Sequence, residues 1–333
     1  MTSFTRKLAG GLAVSLAIGA TAAGSAGAAG ASHVRHAKQL TKLTLSYVPY
    51  SNDSSLFLGI KKGYFRKQGL AISLNTAANP GVVIAALESG EAQLGFATIV
   101  VAVNATAHGT PVKCVSSVDC NQGSNPAQDG TLLLANPKSG INSVADLAGK
   151  TVGTVQLASL NTLDVQEMMK EAGVNPGAAH FVPMPFAQMP QALAQGTVQA
   201  AVVTSPFSAT ALAEGMKLIA HPNITVMAGE ATTCFVATNN YLAHHIKIAH
   251  EFQTAMDEAI AYTKTHLREA AATLPAYGLA TSVSTAMQAK LGTDWDPTIT
   301  PASVAKTERL LERFGYIQAS TAPDPKSIIF PGA

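Results

Sequence analysis

The run DLAGKTVGTVQLASLNTLDVQEMMKEAGVNP, Asp146–Pro176, decides how the rest of the chain is read. TVGTV (Thr151–Val155) is a short β-rich segment, and the polar turn QLASLN (Gln156–Asn161) follows it. Beyond the turn, Leu160, Leu163, Val165, Met168 and Met169 recur at roughly helical spacing until Gly173 and Asn175-Pro176 end the pattern. A strand feeding a small-residue turn into a helix leaves the first helical N–H groups unpaired, aimed beyond the strand's carboxyl end. In open α/β sheets, ligands bind there. Ser159 and Asn161 are therefore the first candidate contacts, although Ser or Asn at this place also suits an ordinary helix cap.

The same alternation extends to both sides. LTLSYV (Leu43–Val48), LAISL (Leu70–Leu74), LGFAT (Leu94–Thr98) and VKCVSSV (Val112–Val118) read as strands. Helical segments separate them, running from Leu56 to Phe65, over Val82–Glu88 after AANPG, and over Ile99–Thr106. After Asp146–Pro176, FVPM (Phe181–Met184), AAVVT (Ala200–Thr204) and Lys217–Ala220 continue the strands. From about Asn240 the pattern is mainly helical, over Tyr241–Ala272 as one or two helices and over Pro301–Gly315. This order predicts βαβ units and mostly parallel sheets. ALESGEAQLGFAT (Ala86–Thr98) and ALAQGTVQAAVVT (Ala192–Thr204) also align at a constant offset of 106, sharing Gly90/Gly196, Gln93/Gln199 and Thr98/Thr204. Two similar α/β lobes follow from that echo.

At 333 residues the chain has length for about two domains. Arg6-Lys7 precede an apolar, Ala/Gly-rich run from Leu8 to about Ala23, and AGA sites follow. Residues 1–31 read as a signal peptide, so the mature protein is expected to be periplasmic or secreted. No cysteine lies near the cleavage region to carry a lipid. Removing that leader takes away Arg6 and Lys7, leaving 20 basic against 20 acidic residues. That balance speaks against nucleic acid and against a polybasic membrane patch. Cys114 and Cys120 are close enough in sequence for a small-loop disulfide in an oxidising compartment. The competing reading is two buried thiols, because Cys114 falls inside a strand. HHIKIAH (His244–His250) lacks a clean i, i+4 metal pair, and no metal or cofactor is called for.

The ordered phrases of this chain resemble the periplasmic solute-binding proteins of ABC importers, of the nitrate/sulfonate/taurine and thiamine-precursor type. The resemblance rests on GYFRKQGL (Gly63–Leu70), NPG (Asn79–Gly81), ALESGEAQ (Ala86–Gln93), DLAGKTVG (Asp146–Gly153) and ALAQGTVQA (Ala192–Ala200). It spans about Leu43 to Gly315. Gln93 and Gln199 stand where the family often has Asp, and Ser205-Pro206 replaces a frequent Glu-Pro. The resemblance implies the two-lobe, type II periplasmic-binding-protein fold, with lobe I as 41–135 plus 236–333 and lobe II as 136–235. The two crossings would fall at TLLLAN (Thr131–Asn136) and CFVATN (Cys234–Asn239).

It further implies a monomer that traps a small solute by hinge closure and delivers it to a membrane permease. The ligand-binding residues would then be Tyr50, Ser51, Asn52, Asn79, Gly81, Thr98 and Ile99 from lobe I, with Ser159, Asn161, Gln188 and Ser205 from lobe II. The turns that carry them hold no Lys or Arg, so a guanidinium fork for an anion is not expected. A small neutral solute, or an oxyanion held by neutral donors, suits them best. Tyr50, Phe186 and Phe207 could flank a flat or apolar part, or simply belong to the core. Some fungal enzymes making the thiamine pyrimidine resemble this fold, but they carry a cysteine-rich motif that this three-cysteine chain lacks. No nucleophile elbow, P-loop or paired-carboxylate motif appears.

Overall fold

The computed structural model describes residues 39–120, 126, 129–280 and 298–333. The leader read as a signal peptide lies outside the described residues.

Two five-stranded sheets organise the chain. The first contains β1 (Thr41–Tyr47), β2 (Leu70–Thr76), β3 (Leu94–Thr98), β4 (Val112–Cys120) and β10 (Ala231–Thr238), in the order β2-β1-β3-β10-β4. The second contains β5 (Thr131–Ala135), β6 (Thr151–Thr154), β7 (His180–Pro183), β8 (Ala200–Thr204) and β9 (Lys217–Ala220), in the order β7-β6-β8-β5-β9. In each sheet one strand runs against the other four: β10 in the first, β5 in the second. The chain passes to the second sheet between β4 and β5, and returns to the first between β9 and β10. The placement of β5 and β10 corrects the boundaries read from sequence. Thr131–Ala135, assigned to the end of the first lobe, pairs with β8 and β9 in the second sheet. Ala231–Phe235, assigned to the second lobe, pairs with β3 and β4 in the first. The strand after each crossing thus belongs to the sheet that the chain enters.

The internal echo has a structural meaning. Gln93 Oε1 accepts the Thr44 N–H at 2.9 Å, and Gln199 Oε1 accepts the Thr151 N–H at 2.8 Å. The Gln93 and Gln199 N–H groups donate to the Thr44 and Thr151 carbonyls, each at 2.9 Å. Glutamine therefore pins the start of β3 to β1 in the first lobe and the start of β8 to β6 in the second. Gly90 and Gly196 turn the chain ahead of it at φ 76° and 72°, a left-handed conformation that costs a side-chain-bearing residue more.

Helices cover the sheets: α1 (Ser54–Lys62), α2 (Tyr64–Lys67), α3 (Pro80–Glu88) and α4 (Ile99–Ala107) in the first lobe, then α5 (Leu160–Glu171), α6 (Met189–Gln195), α7 (Phe207–Ala213) and α8 (Pro222–Val226) in the second. The chain returns through α9 (Asn239–Thr265), α10 (Leu267–Ala271) and α11 (Pro301–Arg313). The reading of one or two helices over 241–272 corresponds to α9 and α10, with His245 leaving helical geometry near the start of α9. Phe57 of α1, Phe65 of α2 and Phe252 of α9 share one buried cluster with Phe96 of β3 and Phe235 of β10. Each such ring, fully buried, contributes about 1.5–3 kcal/mol.

Cys114 is joined to Cys234, not to Cys120, with Cα atoms 5.6 Å apart on adjacent strands. The reason is geometric. Cys114 and Cys120 lie six residues apart on β4, and an extended strand rises about 3.3 Å per residue, which holds their backbones far apart. The antiparallel neighbour β10 brings Cys234 alongside instead.

Candidate functional site

Every lobe contributes to one cleft through equivalent strand ends. From the first lobe come Tyr50 and Asn52 after β1, Pro80 after β2 and Thr98 at the end of β3. From the second come Ser159, Leu160 and Asn161 after β6, Phe186 after β7 and Thr204 at the end of β8. Together with Val155 and four residues near the crossings they border about 500 Å³ of space, part of it open to solvent. Strand directions put these turns at the carboxyl edges of both sheets, where helix N-termini begin.

Ser159 is the N-cap of α5. Its Oγ donates to the Gln156 carbonyl at 2.7 Å and accepts the Thr162 N–H at 3.4 Å. Thr162 and Thr154 join their hydroxyls beneath it at 2.7 Å, so the turn is knitted from within. Both readings of Ser159 hold at once: it caps the helix, and it borders the cleft. Asn161 points elsewhere, its Nδ2 donating to Thr204 Oγ1 at 3.4 Å. Thr204 Oγ1 lies 3.1 Å from Thr131 Oγ1, to which Asn223 Nδ2 donates at 3.3 Å. A chain of neutral amides and hydroxyls thus crosses the cleft floor.

Contacts between the lobes surround the cleft. The Tyr50 and Phe186 rings meet edge to face with centroids 5.5 Å apart. The Ser51 N–H donates to the Ser205 carbonyl at 3.1 Å, and the Gly81 N–H donates to Gln156 Oε1 at 2.8 Å. Arg313 on α11 pairs with Glu167 on α5. Asn79, at the N-cap of α3, spends its side-chain oxygen on the Val82 N–H. The helix N–H expected at Gly81 is therefore taken up by Gln156.

No Lys, Arg, His, Asp or Glu is among the described residues lining the cleft. Of the acids close to it in sequence, Asp53 and Asp164 are wholly buried. Burial pushes the Asp53 carboxyl well above its ordinary range, against the lowering effect of the Tyr50 N–H bond. Burial, and then the Asp129 charge, do the same for Asp164, one turn along α5 from Asn161. The Tyr50 phenol is likewise raised, first by burial and then by Asp53. These shifts all favour uncharged forms.

Of the residues proposed from sequence, Tyr50, Asn52, Thr98, Ser159 and Asn161 border the cleft. Ser51, Ile99 and Ser205 are buried behind it, Ser51 and Ser205 as a contact between the lobes and Ile99 as core. Gln188 is exposed at the start of α6, and Asn79 and Gly81 act as described above. Sequence reasoning missed Thr131, Asn223, Thr232 and Thr233. The signal was available: Thr131 opens β5, and Thr232 and Thr233 lie at the start of β10, so the strand after each crossing begins at the cleft.

A family model described as NMT1/THI5 like matches residues 51–270. A 4-amino-5-hydroxymethyl-2-methylpyrimidine phosphate synthase of Saccharomyces cerevisiae, THI11, is 30% identical over 133 residues, covering 40% of this chain and 36% of that protein. The match thus spans about a third of that curated relative. The ligand-binding component of an ABC-type import system from Staphylococcus aureus, solved with zinc bound, superposes with a TM-score of 0.72 at 17% identity. That superposition covers 87% of this chain and 97% of the other. The periplasmic aliphatic sulphonate-binding protein SsuA from Escherichia coli gives a TM-score of 0.69 at 18% identity, over 86% and 97%. These likenesses show the two-lobe binding-protein fold. Among the described residues, no group of three or more His, Cys, Asp or Glu is placed to hold a metal ion. No described helix is long and apolar enough to cross a membrane.

Proposed function

Because the chain belongs to the NMT1/THI5-like family, we propose that it is the extracytoplasmic solute-binding component of an ABC importer. It traps a small solute between its lobes by hinge closure and presents it to a membrane permease, acting as a monomer with no cofactor. One observation carries the reading: a single cleft receives equivalent strand-end turns from both lobes, with Tyr50 of one lobe against Phe186 of the other. A solute in that position touches both lobes only when they are together, so binding favours the closed state by the difference in contacts. The uncharged lining suits a small neutral solute, or an oxyanion held by neutral donors alone. Residues 1–31 act as a cleaved, unlipidated export signal.

A second reading, an enzyme on the same fold acting on a thiamine-pyrimidine-type precursor, draws on the 30% identity to the yeast synthase. One experiment separates the two. A thermal-shift screen of sulfonates, nitrate, pyrimidines and neutral small solutes finds binders, since binding to the native state raises the midpoint by mass action. Mass spectrometry of each bound solute after prolonged incubation should recover it unchanged. Conversion of a bound solute to product would replace the binding reading with the enzymatic one.

A further inference from the structure

Beside the cleft, and sharing the Phe186 ring with it, lies a second depression of about 480 Å³. Its walls again come from both lobes: Pro49, Ala77 and Ala78 from the first, Pro185, Phe186 and Phe207 from the second. The surface that they present is apolar almost throughout, quite unlike the hydroxyl- and amide-rich cleft. Chain continuity ties the two together. Pro49 precedes Tyr50, and Ala78 lies two residues before Pro80, both of which border the cleft.

We propose that this groove is an apolar subsite of the solute-binding site, taking a short alkyl or aryl extension of a solute whose polar head lies in the cleft. The proposal rests on the solute-binding reading above and adds the class of solute: a neutral polar head with an apolar tail. Three features favour a tail of the solute over a separate occupant. Among the described residues the groove presents almost no polar surface that would orient a peptide or an ion, Thr76 being its one polar side chain. It is composed of both lobes, so an occupant is gripped only when they are together, as a solute in the cleft is. The Phe186 ring, buried and held against Tyr50, is the common wall over which head and tail would join.

Straight-chain primary amides from acetamide to octanamide supply the test, titrated against the purified protein with backbone amide NMR shifts as the readout. Burying one methylene is worth about 3- to 4-fold in affinity. Affinity should therefore climb by about that factor per carbon until the groove is filled. The head should shift Ser159 and Asn161, and the tail Ala77, Ala78 and Ala187. Ala78→Trp and Ala187→Trp, at two exposed groove positions, should each flatten the chain-length series and leave acetamide binding as it was. A flat series in the unsubstituted protein, with head shifts intact, would overturn the subsite and leave the cleft reading standing. A rising series with tail shifts but none at Ser159 or Asn161 would make the groove a separate site and count against the cleft reading. No saturable binding of any amide, octanamide included, would also overturn the proposal.

Discussion

Ser159 and Asn161 sit two residues apart in one turn, yet their side chains are committed differently. Ser159 closes the turn on itself through Gln156 and Thr162. Replacing it with Ala should lower the stability of the solute-free protein by about 1 kcal/mol, the usual value of a helix cap. Asn161 makes one long bond, to Thr204. Asn161→Ala should leave melting nearly unchanged and weaken a solute found in the screen by about tenfold, within a factor of several. Melting curves and titrations of the two variants check this division, and the reverse pattern would return Asn161 to a structural role. Asp164 gives a pH prediction. Among the described residues neither of its buried carboxyl oxygens has a hydrogen-bond partner, and its folded-state affinity for a proton is raised. A carboxyl raised in this way binds its proton more tightly folded than unfolded, so its contribution to stability is lost as pH climbs above the unfolded carboxylate range. Asp164→Asn should therefore melt above the wild type at neutral pH, with the gap closing as pH falls towards 4. A gap that widened on acidification would show Asp164 to be held as a carboxylate.

Among the elements, the echo at offset 106 made the fold legible, because it repeats a strand, a Gly turn and a glutamine pin in both lobes. The turn after β6 was legible for the same reason: strand, small residues and helix follow a fixed order that backbone chemistry dictates. What could not be read was the allegiance of β5 and β10. Both are short apolar runs, and a run of that kind carries no mark of the sheet that it joins. The cleft residues on them were missed in consequence, and so was the partner of Cys114. Peptide mapping under non-reducing conditions should recover Cys114 linked to Cys234, and reduction should cost about 2–4 kcal/mol of stability. A Cys114–Cys120 peptide would mean that β4 does not run extended between them.

Across the whole molecule, the lobes meet through few polar contacts around the cleft, chiefly Gln156 to Gly81, Ser51 to Ser205, and Glu167 to Arg313. Bonds of this kind exist only with the lobes together, so in the proposed hinge closure they would favour the closed state. Gln156→Ala or Arg313→Ala should weaken solute binding by about 2- to 10-fold without altering the cleft lining, through loss of closed-state contacts. Stopped-flow release should locate most of that loss in faster dissociation; unchanged release with a slower on-rate would assign these contacts to solute capture. Small-angle scattering with and without a saturating solute from the screen decides whether the chain works as the proposed two-lobe solute trap. A trap has a smaller radius of gyration when the solute is bound, and an unchanged radius with a tightly bound solute would rule it out.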